Sequence, residues 1–247
     1  MKILGIDEAG RGCVIGPMAV GAVIFEEKEL GFLKDLGVKD SKLLSREKRE
    51  ELYPQIRERA AFHKVRLVTP ADIDEASLNQ IDLQEIISFI AQLNPDKAIF
   101  DVPTNPAGVA NFVKAVRLGL VDSSPQEKTA QGKTSGVGSA ETPEVGELGG
   151  LGDTESGYSL PTLVGENKAD EKYPIVSAAS ILAKVERDRV ISELHKEYSD
   201  FGSGYMSDKR TQKFLCEWFA EHKDFPPIVR RKWSSVRKYL EKQESLF

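Results

Sequence analysis

The segment that most constrains this chain is its N-terminus. There an apolar run, Ile3-Leu4-Gly5-Ile6, leads into Asp7-Glu8 and then Ala9-Gly10-Arg11-Gly12. A short apolar run of this kind reads as a buried strand. Neighbouring residues on a strand point to opposite faces, so in a central strand Asp7 and Glu8 cannot both reach solvent. A buried, unpaired carboxylate is costly and is normally neutralised, paired or bound to metal. Mg²⁺ and Mn²⁺ take carboxylate oxygens and resolve the conflict. A strand end whose acids simply meet water is the ordinary alternative.

Around this strand the pattern predicts an α/β layered domain with a mixed sheet. Pro17 to Phe25 reads as a second strand joined by the glycine-rich turn, and Ala61 to Val68 as a third. Lys97 to Asp101 is a short buried strand that also ends in an acid, and Leu160 to Val164 is another. Helices are expected over 45–59, from Thr69-Pro70-Ala71-Asp72 (a cap with proline at the first helical position), and over 83–93. Three more are expected: from Pro174 to about Tyr198, from a Ser207 cap to about Glu221, and over 233–242. The start of the long one, Val176-Ser177-Ala178-Ala179-Ser180, has small side chains that suit close approach to a sheet or a substrate.

Net charge is −5 and gives no overall sign of a polyanion binder, but the average conceals two opposite regions. Residues 121–158 alone carry −5, with eight glycines, nine Ser/Thr and no aromatic before Tyr158. Such a stretch cannot bury enough surface to offset its ordering entropy and reads as a disordered insertion. Residues 209–242 carry +6. Cys13 and Cys216 lack metal-ligand spacing and read as buried free thiols of a reducing compartment. No signal-like or membrane-spanning run is present, so a cytoplasmic protein is expected.

Three acids besides Glu8, namely Asp7, Asp101 and Asp170, fall at or just beyond strand ends of one sheet and can converge with it. Four carboxylates suit a pair of divalent ions for in-line phosphoryl displacement. The turn Gly10-Arg11-Gly12-Cys13-Val14-Ile15-Gly16 has its third glycine one residue late for a dinucleotide-binding loop, and two acids beside it would repel a pyrophosphate.

Taken in order, Gly5–Gly12 with Ile15-Gly16-Pro17, Lys39-Asp40-Ser41-Lys42, the Asp101 strand and Lys168-Ala169-Asp170 resemble ribonuclease HII, the type 2 ribonuclease H family, in its single-chain archaeal form. Ser177–Ile181, Phe201-Gly202-Ser203-Gly204-Tyr205 and Phe225–Arg230 carry the same resemblance. It implies a ribonuclease H-like mixed five-stranded sheet flanked by helices over 1–200, with a C-terminal helical extension over 201–247. It further implies hydrolysis of RNA in RNA–DNA hybrids and cutting 5′ of ribonucleotides embedded in duplex DNA, by two-metal-ion catalysis with Mg²⁺ or Mn²⁺. The ends left are 3′-hydroxyl and 5′-phosphate, as ribonucleotide excision repair requires. Asp7, Glu8, Asp101 and Asp170 match the family's metal ligands. Gly10, Arg11 and Gly12 match the segment whose backbone reads the 2′-hydroxyl, and Tyr205 the tyrosine that stacks at the RNA–DNA junction. Lys42, Ser177 and Lys184 are implied phosphate contacts. Arg230, with the basic residues that follow, is expected to contact the duplex. Gln243–Phe247 resembles a sliding-clamp-binding peptide, and the chain is expected to be a monomer. Cys13 departs from the family, which usually has proline there.

Overall fold

The computed structural model describes residues 1–38, 43–123 and 159–244. Five strands form one sheet: β1 (Lys2–Ala9), β2 (Met18–Glu26), β3 (Phe62–Val68), β4 (Lys97–Asp101) and β5 (Thr162–Glu166), in the order β3-β2-β1-β4-β5. The first three pair antiparallel, whereas β1–β4 and β4–β5 are parallel, so β1 is the central strand. The helices described are α1 (Leu30–Asp35), α2 (Arg46–Arg59), α3 (Pro70–Glu75), α4 (Leu78–Leu93), α5 (Val109–Asp122), α6 (Ala169–Lys172), α7 (Pro174–Tyr198), α8 (Lys209–His222) and α9 (Ser234–Glu244). This is the mixed five-stranded α/β fold with C-terminal helices that the sequence predicts.

Alternation along β1 divides the core. Ile3 joins Val23, Phe25 and the α7 residues Ile175, Ala178, Ala179 and Leu182 on one face. Leu4 and Ile6 join Val20, Phe100, Ile86, Ile90 and Val116 on the other, under α4 and α5. A third cluster, Val14, Ile15, Phe201, Leu215, Phe225 and Val229, ties the glycine-rich turn to the C-terminal helices.

Helix α7 lies unusually close to the sheet. A Cβ on Gly5 would sit 2.5 Å from the Ile175 carbonyl oxygen, and one on Gly21 would collide with the Ala179 carbonyl. These two glycines are therefore required by proximity, not by backbone conformation. The small residues Ala178, Ala179 and Ser180 complete the contact, as their composition predicts.

Several boundaries differ from expectation. Helix α4 starts five residues earlier than its apolar stripe, because Ser77 and Gln80 form a capping box. Asp208, not Ser207, caps α8 by accepting from the Arg210 N–H at 2.9 Å. The sequence reading did not anticipate α5, which carries the chain through Asp122; the remainder of the expected insertion, 124–158, lies outside the described residues. Cys13 is buried as expected, but Cys216 is exposed on α8.

Gly21→Ala is predicted to lower the melting temperature by several degrees, since overpacking against backbone costs roughly 1–3 kcal/mol. It should reduce activity as well, because α7 must shift. Thermal denaturation checks this, and an unchanged melt would contradict the close packing.

Candidate active site

The carboxylates gather at the C-terminal end of β1. Asp7, Glu8 and Asp101 each offer an oxygen, all within 4.8 Å of one another. Asp7 is on the α7 face of β1, where Ser180 and Lys184 approach it. Glu8, next along the strand, has Asp101, Arg11 and Lys184 as its charged neighbours. The two carboxylates share Lys184 and Asp101 as neighbours at this strand end, and the short β4 brings Asp101 in beside the pair.

Asp170 does not join the other three at that distance. It is carried by the first turn of α6 rather than by β5, and it is 1 % exposed. Its neighbourhood is nonetheless tied to the cluster, because the Ala169 N–H donates to Asp101 Oδ1 at 2.8 Å. Lys168, just before, adopts a left-handed conformation (φ 56°), which a non-glycine residue takes only at a cost of roughly 1–3 kcal/mol. Asn167 anchors the segment by donating its side-chain amide to the Thr104 carbonyl at 2.6 Å.

Concentrated negative charge in a buried place has a measurable consequence. Burial and the adjacent acids hold the Asp7 carboxyl well above the usual range despite Lys184 and Ser180. Glu8 is pushed up to about 7, first by burial and then by Asp101, with Arg11 opposing. A displacement of that size is worth on the order of 3 kcal/mol. Three converging hard oxygen donors that resist joint ionisation form a set a divalent cation fits, since the ion supplies the missing positive charge.

The glycine turn beside the acids is held from behind. Arg230 is fully buried and donates to three main-chain carbonyls: Gly16 at 3.1 Å, Arg11 at 2.9 Å and Gly10 at 2.7 Å. Its own N–H donates to Val14 O at 2.9 Å. The expected duplex contact is therefore corrected: Arg230 is a buried clamp on the turn, its guanidinium fork spent on three carbonyls rather than offered to a phosphate. Ser177 is corrected likewise. It is fully buried and its hydroxyl donates to the Val38 carbonyl, which leaves none of it for a phosphate. The Arg11 side chain pairs with Asp82 and Asn79 of α4. Gly10 takes φ +78°, and any side chain there would strike Arg187.

Asp7, Glu8, Gly10–Gly12, Asp101, Lys184 and Tyr205 line a single open groove of about 790 Å³. Arg46, Arg49, Arg187 and Arg210 line it too, and the sequence reading did not single them out. Their sole signal was charge on predicted helices, which a solvated face also gives. Lys42 lies outside the described residues.

A mixed sheet with three acids gathered at the ends of β1 and β4, opening into a groove that arginines also line, fits a divalent-metal-dependent nuclease. The family model for ribonuclease HII matches residues 4–106 and 155–236. A ribonuclease HII of Pyrococcus abyssi is 38% identical over 98% of this chain and 92% of its own. The crystal structure of the ribonuclease H2 from Pyrococcus horikoshii superposes with a TM-score of 0.77 at 36% identity, covering 99% of each chain. A structure of the PCNA:RNase HII complex from Archaeoglobus fulgidus gives 0.73 at 35% identity, covering 95% of this chain and 96% of that one. Bst-RNase HIII in complex with Mn²⁺ shares the fold at 0.67 and 16% identity, covering 99% of this chain and 71% of that one. The chain belongs to the ribonuclease HII family and is a metal-dependent endoribonuclease acting on the RNA strand of RNA–DNA hybrids.

Because the folded chain holds the Glu8 proton more tightly than the unfolded chain does, stability without metal should increase as pH falls from above 7 towards the ordinary carboxylate range. Thermal melts in chelator at about pH 8 and about pH 5.5 are expected to show a gain on acidification for wild type. Glu8→Gln should show a smaller gain and should melt higher at the alkaline end. An equal pH dependence in both proteins would contradict the burial of Glu8 charge.

Proposed function

We propose that this chain cuts RNA–DNA hybrids and also cuts 5′ of single ribonucleotides embedded in duplex DNA, leaving 3′-hydroxyl and 5′-phosphate ends, the incision that ribonucleotide excision repair requires. The observation that carries the reading is the adjacency, in one groove, of the three-carboxylate cluster and the clamped Gly10–Gly12 turn. Asp7, Glu8 and Asp101 would hold two Mg²⁺ or Mn²⁺ ions, with Asp170 completing the set from α6. When bound, such ions supply an activated water and stabilise the leaving oxygen.

The chain's own residues do the rest. Glycine at positions 10 and 12 lets the main chain approach a ribose, where N–H and C=O groups can bond a 2′-hydroxyl that deoxyribose lacks. Arg230 fixes those groups in advance, which lowers the ordering cost of recognition. Lys184, reaching Ser180 on α7, places a cation beside the reacting phosphate. The Tyr205 ring, 38% exposed at the groove wall, offers a flat face for the sugar at the RNA–DNA junction. The related PCNA:RNase HII complex from Archaeoglobus fulgidus supports binding to a sliding clamp; we assign that contact to Gln243–Phe247, whose last three residues lie outside the described residues, and read the chain as a cytoplasmic monomer.

A duplex with one ribonucleotide should be cut on its 5′ side with Mg²⁺ or Mn²⁺, and not in chelator. Asp7→Asn should lower the rate by at least about 100-fold. Wild-type rates from that variant would remove Asp7 from the site, and equal cutting of an all-DNA duplex would overturn the ribose-reading turn.

A further inference from the structure

Cys13 sits behind the ribose-reading turn and has partners that the usual proline could not have. It is fully buried, and its N–H closes the turn by donating to the Gly10 carbonyl at 3.3 Å. Its sulfur accepts from Arg187 Nη2 at 2.8 Å and neighbours the Tyr205 hydroxyl closely enough for the two to perturb each other's proton affinity. Arg187 is itself buried; its Nε donates to the Pro17 carbonyl at 3.3 Å, and its guanidinium lies 5.8 Å from the centre of the Tyr205 ring. The ring edge in turn rests 3.5 Å from where a Cβ on Gly12 would be. Tyr205 thus has a thiol beside its hydroxyl, a cation beside its ring and the turn beneath its edge.

The loop that carries the ring is registered to the same turn. Val14 N–H and Ile15 N–H both donate to the Gly204 carbonyl, at 2.8 and 3.2 Å. Backbone contacts therefore fix where the loop sits, while rotation of the ring about its own side-chain bonds is left to Cys13 and Arg187. Burial and the sulfur contact push the phenol up to about 12, so it stays a neutral donor.

We propose that Cys13 is a positioning residue for Tyr205, fixing the angle at which the ring meets a ribose–deoxyribose junction and thereby favouring single embedded ribonucleotides over continuous hybrid. This rests on the reading of Tyr205 as the junction contact. The thiol touches neither metal ligands nor reacting atoms, so its effect is on discrimination. A proline at this position would supply no sulfur for either partner and no N–H for Gly10.

The test compares kcat/KM for a one-ribonucleotide duplex with that for a continuous hybrid. Cys13→Ala is expected to lower the ratio about three- to tenfold, the worth of one hydrogen bond. Cys13→Ser, whose hydroxyl still accepts, should restore most of it. In a Tyr205→Phe background, where the hydroxyl is already gone, Cys13→Ala should change the ratio no further. Equal loss on both substrates, an unchanged ratio with a lowered melting temperature, or an undiminished Cys13→Ala effect in the Tyr205→Phe background would each overturn the proposal. Tyr205→Ala separates the two layers. If it lowers the ratio while Cys13→Ala does not, the positioning role fails alone; if it lowers both rates equally, the junction reading fails and the proposal with it.

Discussion

The contact on which the rest depends is the docking of α7 against the glycines of β1 and β2. With hydrogen at Gly5 and Gly21, the helix backbone comes within van der Waals reach of the sheet. That proximity puts Ser180 and Lys184 opposite Asp7 and brings Arg187 to the far end of the turn. A helix one side-chain layer further out would leave the carboxylates without their cation and the turn without one of its supports. The same contact explains why the small residues Ser177–Ser180 fall in the N-terminal half of α7, while the half beyond the sheet becomes charged.

Against this packing the site holds electrostatic tension. Three acids converge where their charges cannot all be comfortable, and the fold compensates with helix and turn contacts elsewhere. Arg230 shows the complementary strategy. Its charge is buried against three carbonyl dipoles rather than a carboxylate, at the expense of a guanidinium pulled down to about 10 by desolvation. The result is a turn whose main-chain groups are set before any substrate arrives.

Much of this was legible in the sequence. The apolar run before Asp7 marked a buried strand ending in acids, and the sheet order shows that strand to be the central one. The order of strands and helices yielded the mixed sheet, and Asp101 was recognisable from the same strand-then-acid pattern. What was not legible depends on contacts between distant segments. Arg230 reads as one more cation in a basic stretch, and only the pairing of Ile15 with Val229 reveals that it points inward. Ser177 looks available until Val38 is seen above it. Asp170 was expected at or just beyond a strand end, and it lies just beyond β5, where a left-handed Lys168 turns the chain into the short α6 that the sequence did not show. Helix α5 escaped notice because its run of valines and leucines adjoins a glycine-rich stretch.

The central claim is that the cluster is a preformed cation site whose repulsion the ion relieves. The most direct measurement is the melting temperature of metal-stripped chain titrated with Mn²⁺, beside Asp101→Asn. The account predicts a progressive rise for wild type, reaching about 2.7 kcal/mol of added stability at a hundredfold excess over the dissociation constant. Asp101→Asn should start higher without metal and gain little. A wild-type melt indifferent to Mn²⁺ at concentrations that support cleavage, or an equal rise in Asp101→Asn, would contradict it.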